Sequence, residues 1–324
     1  MSHPAGNMRR WLLYTLLGMI ADALDIILTG TAIVPPRRPK RSLLPSDVDG
    51  LSDEELVKLR ETAPVMDSIA NIIRLTPGTV VKPSSEMEED PPDTTEANAL
   101  NLVFAKTTIP VPRARRVIKL SCFSLIVMDY IDGPTLAEAW PTLPIWRKLL
   151  IAFTLRRYIR QLRRLTQAAP GTPPGPLSTQ VRICQSPIFG QVQSFRGPFA
   201  SYAELSAFFN QRHHMALDDE DVPHDDPARK DLFEDSEPLV LTHQDLNLRN
   251  IIMDKDGYLW LVDWTWAGYY PPWFEYAAME IQNEDDVVSG TDDKLWRAFI
   301  PFICGPCFRQ RRWLTRMAAA LYYI

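Results

Sequence analysis

Leu241-Thr242-His243-Gln244-Asp245-Leu246-Asn247-Leu248-Arg249-Asn250-Ile251-Ile252 is the stretch on which the reading of this chain turns. Asp254-Lys255-Asp256-Gly257 follows it, and then Tyr258-Leu259-Trp260-Leu261-Val262-Asp263-Trp264. Apolar residues of strand-forming type flank a polar loop. A D-x-D-G turn then reverses the chain, and a second apolar run ends on Asp263. A hairpin returns the far end of its second strand beside the start of its first. Two carboxylates, Asp245 and Asp263, and the carboxamide of Asn250 are therefore predicted to share one small region. A lone H-x-D would read as incidental acids on a surface hairpin. His, Asp, Asn and a strand-terminal Asp at these four spacings do not.

Such a set suits phosphoryl transfer from a nucleotide. One carboxylate orients the acceptor hydroxyl and takes its proton, while an Asp and an Asn hold the magnesium that neutralises the phosphates. Hard oxygen ligands suit magnesium, and no His/Cys grouping here points to zinc. The spacing D-x-x-x-x-N, a strand pair, then Asp resembles the catalytic loop and metal-binding Asp of kinases. The H-x-D-L-N-x-x-N form and the following Asp263-Trp264-Thr265-Trp266-Ala267-Gly268-Tyr269-Tyr270-Pro271-Pro272-Trp273-Phe274-Glu275-Tyr276 segment resemble the aminoglycoside phosphotransferase/choline kinase-like family, in the branch common in fungi. The resemblance implies that Asp245 is the catalytic base and that Asn250 and Asp263 ligate Mg2+. It also implies that His243 supports the loop and that Glu275 is an acid bracing it.

The resemblance extends upstream. Ala70 to Leu75 and Thr79 to Lys82 read as strands around the turn Thr76-Pro77-Gly78. Thr94 or Thr95 caps a helix running from Glu96 through Phe104. On residue type alone, Lys82 snorkels from a strand and Glu96 favours a helix dipole. The family makes Lys82 the phosphate-binding lysine and Glu96 its positioning partner. Ile126 to Gly133 resembles the hinge whose backbone around Asp129 and Ile131 meets adenine. The implied cofactors are ATP and Mg2+, and the implied acceptor is a small-molecule hydroxyl, since Trp264-Thr265 replaces Phe-Gly and no A-P-E segment follows. Two departures stand out. Gln244 occupies a position where the family usually has Gly, and no G-x-G-x-x-G precedes Lys82, so Ser68-Ile69-Ala70-Asn71 would cover the phosphates. They keep a second reading open, a kinase-like protein that binds nucleotide or a partner with weak or no catalysis. A protein kinase is the third.

The expected fold is α+β, protein-kinase-like and two-lobed. An antiparallel N-terminal lobe of residues 43–130 would follow an amphipathic helix and Pro/Arg-rich linker, residues 1–42. A larger, mainly helical lobe of residues 131–324 would carry catalysis and substrate. Ser52 with Glu55, and Thr135 with Glu138, spell capping boxes. Trp146, Leu150, Phe153, Ile159, Leu162 and Leu165 trace the apolar face of a helical region. Arg156, Arg157, Arg160, Arg163 and Arg164 occupy its other face, which reads as a solvated surface. Residues 217–237 are strongly acidic and read as a surface loop, or as a wall attracting a cationic substrate.

Composition is that of a globular protein: 46% hydrophobic and 23% charged residues, with 35 basic against 40 acidic side chains. The net charge of −5 argues against nucleic acid as a partner. Four cysteines are too few to staple 324 residues, so a reducing, cytoplasmic setting is expected. Cys304-Gly305-Pro306-Cys307 matches a thioredoxin-like string but lies too near the end of the sequence for such a domain to follow. Leu13, Leu16, Leu17, Ile20, Leu24, Ile27 and Leu28 recur at helical spacing, opposite Thr15, Gly18, Asp22 and Asp25. A helix docked on the protein's own body is the first reading. A membrane-surface helix through residues 11–28 is second, because Lys and Arg do not line its polar face, and a signal peptide is third. Oligomeric state leaves no sequence signal.

Overall fold

Short β-rich runs separated by tight turns build the first half of the chain. Val65–Asp67 (β1), Ile72–Thr76 (β2), Thr79–Ser84 (β3), Ala114–Lys119 (β4) and Ser124–Asp129 (β5) form one antiparallel sheet in the order β1-β2-β3-β5-β4. The structure is a computed structural model and describes residues 4–28, 44–67, 71–84, 93–121, 123–166, 172–190, 192, 195–288 and 293–322. Ser68, Ile69 and Ala70 of the phosphate-covering loop, the Pro35–Arg41 run, Pro170-Gly171 and most of the Pro83–Asp93 loop fall outside the described residues. In β3, alternation sends Val81 to the outer face, where it packs with Leu56, Ile73, Leu125 and Val127. Val80 and Lys82 take the other face, and Val80 packs there with Leu100 and Val103 of Thr95–Lys106 (α3). Register pairs Lys82 with Ile126 in the centre of the sheet. Thr94 occupies the N-cap of α3, but its side chain makes no capping bond. The two predicted capping boxes are present, at Asp53–Thr62 (α2) and Leu136–Ala139 (α4).

Ile109 to Pro112 runs extended and buried between the sheet and the helical half, and Pro110 O accepts from Leu261 N at 3.0 Å. Beyond it lie Ile145–Leu162 (α5), Gly175–Pro176 (β6), Tyr202–Asp219 (α6), Val240–Thr242 (β7), Ile251–Met253 (β8), Leu259–Leu261 (β9) and Gly268–Tyr270 (β10). Trp273–Val288 (α7), Lys294–Cys304 (α8), Phe308–Arg316 (α9) and Ala318–Tyr322 (α10) follow. The expected D-x-D-G reversal joins β8 to β9: Asp254 Oδ1 accepts from Asp256 N and Tyr258 N, both at 2.9 Å, and Gly257 takes φ 82°. Tyr158 of α5 donates to Leu259 O at 3.2 Å, and β10 lies between β6 and β7. One continuous apolar core runs from Val80 and Ile126 through Leu155, Leu246 and Ile251 to Trp264, Met279 and Trp296, so sheet and helices share an interior. An antiparallel-sheet lobe joined to a mainly helical one is the expected α+β architecture.

The arginine face of α5 is not solvated. Pro4–Leu28 (α1) lies on it, and Asp22 takes Arg156 bidentately at 2.7 and 2.8 Å while Asp25 accepts from Arg160 at 3.3 Å. Arg156 also donates to Phe302 O at 2.6 Å, and Arg163 to Pro272 O at 3.0 Å and Cys304 O at 2.5 Å. Of the five, Arg164 is exposed. Conversely, Trp146 and Leu150, assigned to the buried face, are exposed. In the acidic stretch, α6 continues to Asp219 and Arg229 pairs with Asp218 at 2.7 Å. Among the described residues no helix is long and apolar enough to cross a membrane. Replacing Arg156 by Ala removes a bidentate ion pair and a carbonyl bond. It is expected to cost roughly 2 kcal/mol in denaturant unfolding and to expose α1 to limited proteolysis.

Candidate active site

The polar loop after β7 is fixed from beneath by a buried carboxylate. Glu275, in the first turn of α7, accepts from His243 N at 2.6 Å and from Gln244 N at 3.2 Å. Burial pushes the Glu275 carboxyl up to about 7, against the pull of those two N–H groups. The paired donors bend the chain: Gln244 sits at φ 65°, a left-handed conformation that glycine adopts freely and glutamine at a cost of roughly 1 kcal/mol. This gives the Gly-to-Gln departure a physical content. The glutamine holds the glycine conformation, with its Nε2 reaching Trp266 O at 3.4 Å.

His243 ties the loop to the second strand of the hairpin. Its Nδ1 accepts from Asp245 N at 3.2 Å, so the proton lies on Nε2, which donates to Val262 O at 3.1 Å. Burial pushes the imidazole down to about 4 and keeps it neutral. Its ring also packs on Trp264, with centroids 4.3 Å apart. Asp245 follows, with Asn247 Nδ2 donating to its Oδ1 at 2.9 Å and Asn250 Nδ2 donating to its Oδ2 at 2.8 Å. Asn247 Oδ1 in turn accepts from Arg249 N and Asn250 N, closing the helical turn Leu248–Asn250. Burial first, and then the nearby charge of Asp263, push Asp245 up to about 7 although both amides favour its ionised form. A carboxylate poised near neutrality is suited to general-base work.

Across the opening, Lys82 Nζ lies 2.8 Å from Glu96 Oε2, 2.8 Å from Asp263 Oδ1 and 3.1 Å from Thr265 Oγ1. Burial pulls the Lys82 pKa down, but the two carboxylates outweigh it and hold the ammonium charged. Burial likewise opposes ionisation of Asp263, and the Lys82 ammonium overcomes it, leaving this carboxyl below its ordinary range. Glu96 also accepts from Trp264 N at 3.3 Å, which locks the residue after Asp263 onto α3. Asp263 itself has φ 61°, a second left-handed position in the site. The structure thus brings together Asp245, Asn250, Asp263, Lys82 and Glu96. Thr265, which donates to Asp263 Oδ1 at 2.8 Å, and Asn247 are members that sequence reasoning passed over. Asn247 left a trace as the middle residue of D-x-N-x-x-N; Thr265 left none.

Asp129 and Ile131 mark the expected hinge. Asp129 carries an ion pair to Arg115 at 2.6 Å and gives its own N–H to Arg113 O, while Tyr130 N donates to Gly78 O. Among the described residues no backbone bond takes the N–H of the buried Ile131. The donor set at the other end suits a hard cation. Asn250 spends its amide nitrogen on Asp245, which leaves its carbonyl oxygen to offer, and Asp263 has a second carboxylate oxygen beyond the one bound to Lys82. Among the described residues no three His, Cys, Asp or Glu side chains converge to hold a metal alone. A cation here would therefore draw further oxygens from phosphate and water, as magnesium does.

Comparison with known proteins adds the following. The sequence model of the phosphotransferase enzyme family matches residues 72–301. No curated protein sequence matches the chain. Among solved structures, the spectinomycin phosphotransferase APH(9)-Ia bound to ADP and spectinomycin is similar at 15% identity and TM-score 0.45, over 76% of this chain and 74% of that one. The ADP-bound aminoglycoside phosphotransferase APH(2'')-Ib is similar at 14% identity and TM-score 0.44, over 81% and 86%. The gentamicin complex of APH(2'')-IIa is similar at 13% identity and TM-score 0.42, over 84% and 96%.

Truncating Glu275 to Ala strands two buried N–H donors. The variant is expected to lose about 2–6 kcal/mol of stability, measured by urea unfolding, whereas Glu275→Gln, which keeps an acceptor oxygen, loses less than half as much.

Proposed function

Because this chain belongs to the phosphotransferase enzyme family, we propose that it transfers the γ-phosphoryl group of ATP to a hydroxyl group of a small molecule. The observation that carries this reading is the convergence of Asp245, Asn250 and Asp263 with the Lys82–Glu96 pair where the sheet meets the helical half. On this reading residues 43–130 form the nucleotide-binding lobe and residues 131–324 the catalytic and substrate lobe. Lys82, steered by Glu96, would hold the α- and β-phosphates. The backbone carbonyl of Asp129 and the N–H of Ile131 would meet adenine, and Asn250 and Asp263 would hold Mg2+. When bound, magnesium-ATP supplies the phosphoryl group and compensates the charge that develops on it.

Asp245 would orient the acceptor hydroxyl and hold the proton it releases. Its two carboxylate oxygens are fixed by Asn247 and Asn250, so the base is positioned before substrate arrives. A small acceptor is favoured by the short passage from Asp263 to α7, residues 264–272, part of which is the strand β10 pairing with β7. Little chain is left there to dock a protein substrate.

The reading is tested with magnesium-ATP and a metabolite library, with a mass shift of phosphate as readout. Asp245→Asn is expected to keep nucleotide affinity and to lose at least roughly a hundredfold in turnover. Since the base must be ionised, wild-type kcat/KM should rise as pH is raised through about 7 and level off above it. The variant's residual activity should lack that limb. Wild-type turnover in Asp245→Asn would remove Asp245 from the chemistry and favour a nucleotide-binding module.

A further inference from the structure

Helix α1 is mounted inside out. Tyr14, Thr15, Gly18, Ala21, Asp22 and Asp25 are its covered residues, at the spacing of one helical face, and all but Tyr14 are small or polar. Tyr14 donates to Ala298 O at 3.0 Å, and the two aspartates are spent on the arginines of α5. Gly18 lets that face close: a Cβ there would lie 2.6 Å from the Arg156 guanidinium. The opposite face is apolar and open to solvent, with Leu12, Leu16, Met19, Ile20, Ile26 and Ile27 exposed, Ile27 by 71%. A helix held by its polar face, with its aliphatic face outward, is the reverse of what folding alone selects. A contiguous apolar surface of this kind marks an interaction site.

A second feature stands beside it. The N-terminal half of α1, together with α7, α8 and α9, borders a cavity of about 560 Å³. Arg10, Lys294, Arg297, Arg311, Arg312 and Arg316 line it, against one acid, Glu280. Arg297, Arg311 and Arg316 have acidic neighbours in Glu280, Glu284 and Glu220. Among the described residues Arg10, Lys294 and Arg312 form no ion pair. A chain of net charge −5 thus sets six cationic side chains at the edge of its most exposed apolar helix.

We infer that α1 and this cavity form one docking surface for an anionic lipid membrane. The helix would lie in the plane of the interface with its aliphatic face among acyl chains, and the cavity would take anionic headgroups. The pairing of apolar stripe and cation cluster decides for lipid. The missing Lys and Arg on the helix's own polar face, which weighed against membrane contact in the sequence, are accounted for. That face is turned to the body, and the cations come mainly from α8 and α9.

The test is flotation of the full chain with phosphatidylcholine vesicles, with and without phosphatidylserine. Wild type should float with the anionic vesicles, less so at high salt. Leu16→Glu/Ile20→Glu should reduce bound protein at least roughly tenfold. Lys294→Glu/Arg312→Glu should reduce it comparably and abolish the salt dependence. All four positions are remote from the nucleotide site, so ATP affinity and Tm should be unchanged in both variants. Three results would overturn the proposal. They are wild type staying with the unbound fraction, both variants floating as wild type does, and light scattering that reveals a lipid-indifferent dimer which Leu16→Glu/Ile20→Glu makes monomeric.

Discussion

One ammonium group joins the two halves of this protein. Lys82 comes from the centre of the sheet, Glu96 from α3 on its inner face, and Asp263 from the end of the hairpin in the helical lobe. Lys82 and Asp263 are held charged there while burial raises the Glu96 carboxyl, and removing one partner of a buried ion pair typically costs about 3–5 kcal/mol. The constraint reaches further than the three residues. With Glu96 also accepting from Trp264 N, the end of the hairpin cannot shift against α3 without losing two bonds at once. The position of Asp263 relative to the sheet follows from this clamp.

A second carboxylate, Glu275, performs the corresponding task for the loop below. It takes the N–H groups of His243 and Gln244, and His243 passes the constraint on to Val262 through its other nitrogen. The backbone therefore enters Asp245 and Asp263 through two left-handed positions, Gln244 and Asp263 itself. Strain held at both is the kind that surrounding structure maintains only where the resulting geometry is used. Burial raises both acids, but the Lys82 ammonium overcomes it at Asp263, whereas the like charge of Asp263 adds to it at Asp245. Two carboxylates in one site separated in this way are equipped for different tasks.

Much of this was legible in the sequence, for stated reasons. The hairpin carrying Asp245, Asn250 and Asp263 was readable because strand, turn and strand are local, and local spacing fixes which residues return to one another. The capping boxes at Ser52 and Thr135 were readable for the same reason. Lys82 and Glu96 could be named as partners only through the family resemblance, since their meeting depends on how α3 packs on the sheet. Thr265 left no trace because a hydroxyl two residues after an acid has no distinctive spacing.

The largest failures fell on helix faces. Periodicity divides a helix into two sides but says nothing about which side meets the body. On α5 the arginine side is covered and Trp146 and Leu150 are bare; on α1 the aspartates are covered and the isoleucines are bare. Only α1 is inverted, since α5 also buries Leu155, Ile159 and Leu162 in the core. Arg156 and Arg160 find Asp22 and Asp25 across the helix pair, and charge-assisted bonds to those acids hold α1 by its polar face. A polar seam of this kind leaves a contiguous apolar surface turned outward, a condition that marks an interaction site. That condition makes the arrangement of α1 informative about more than its own stability.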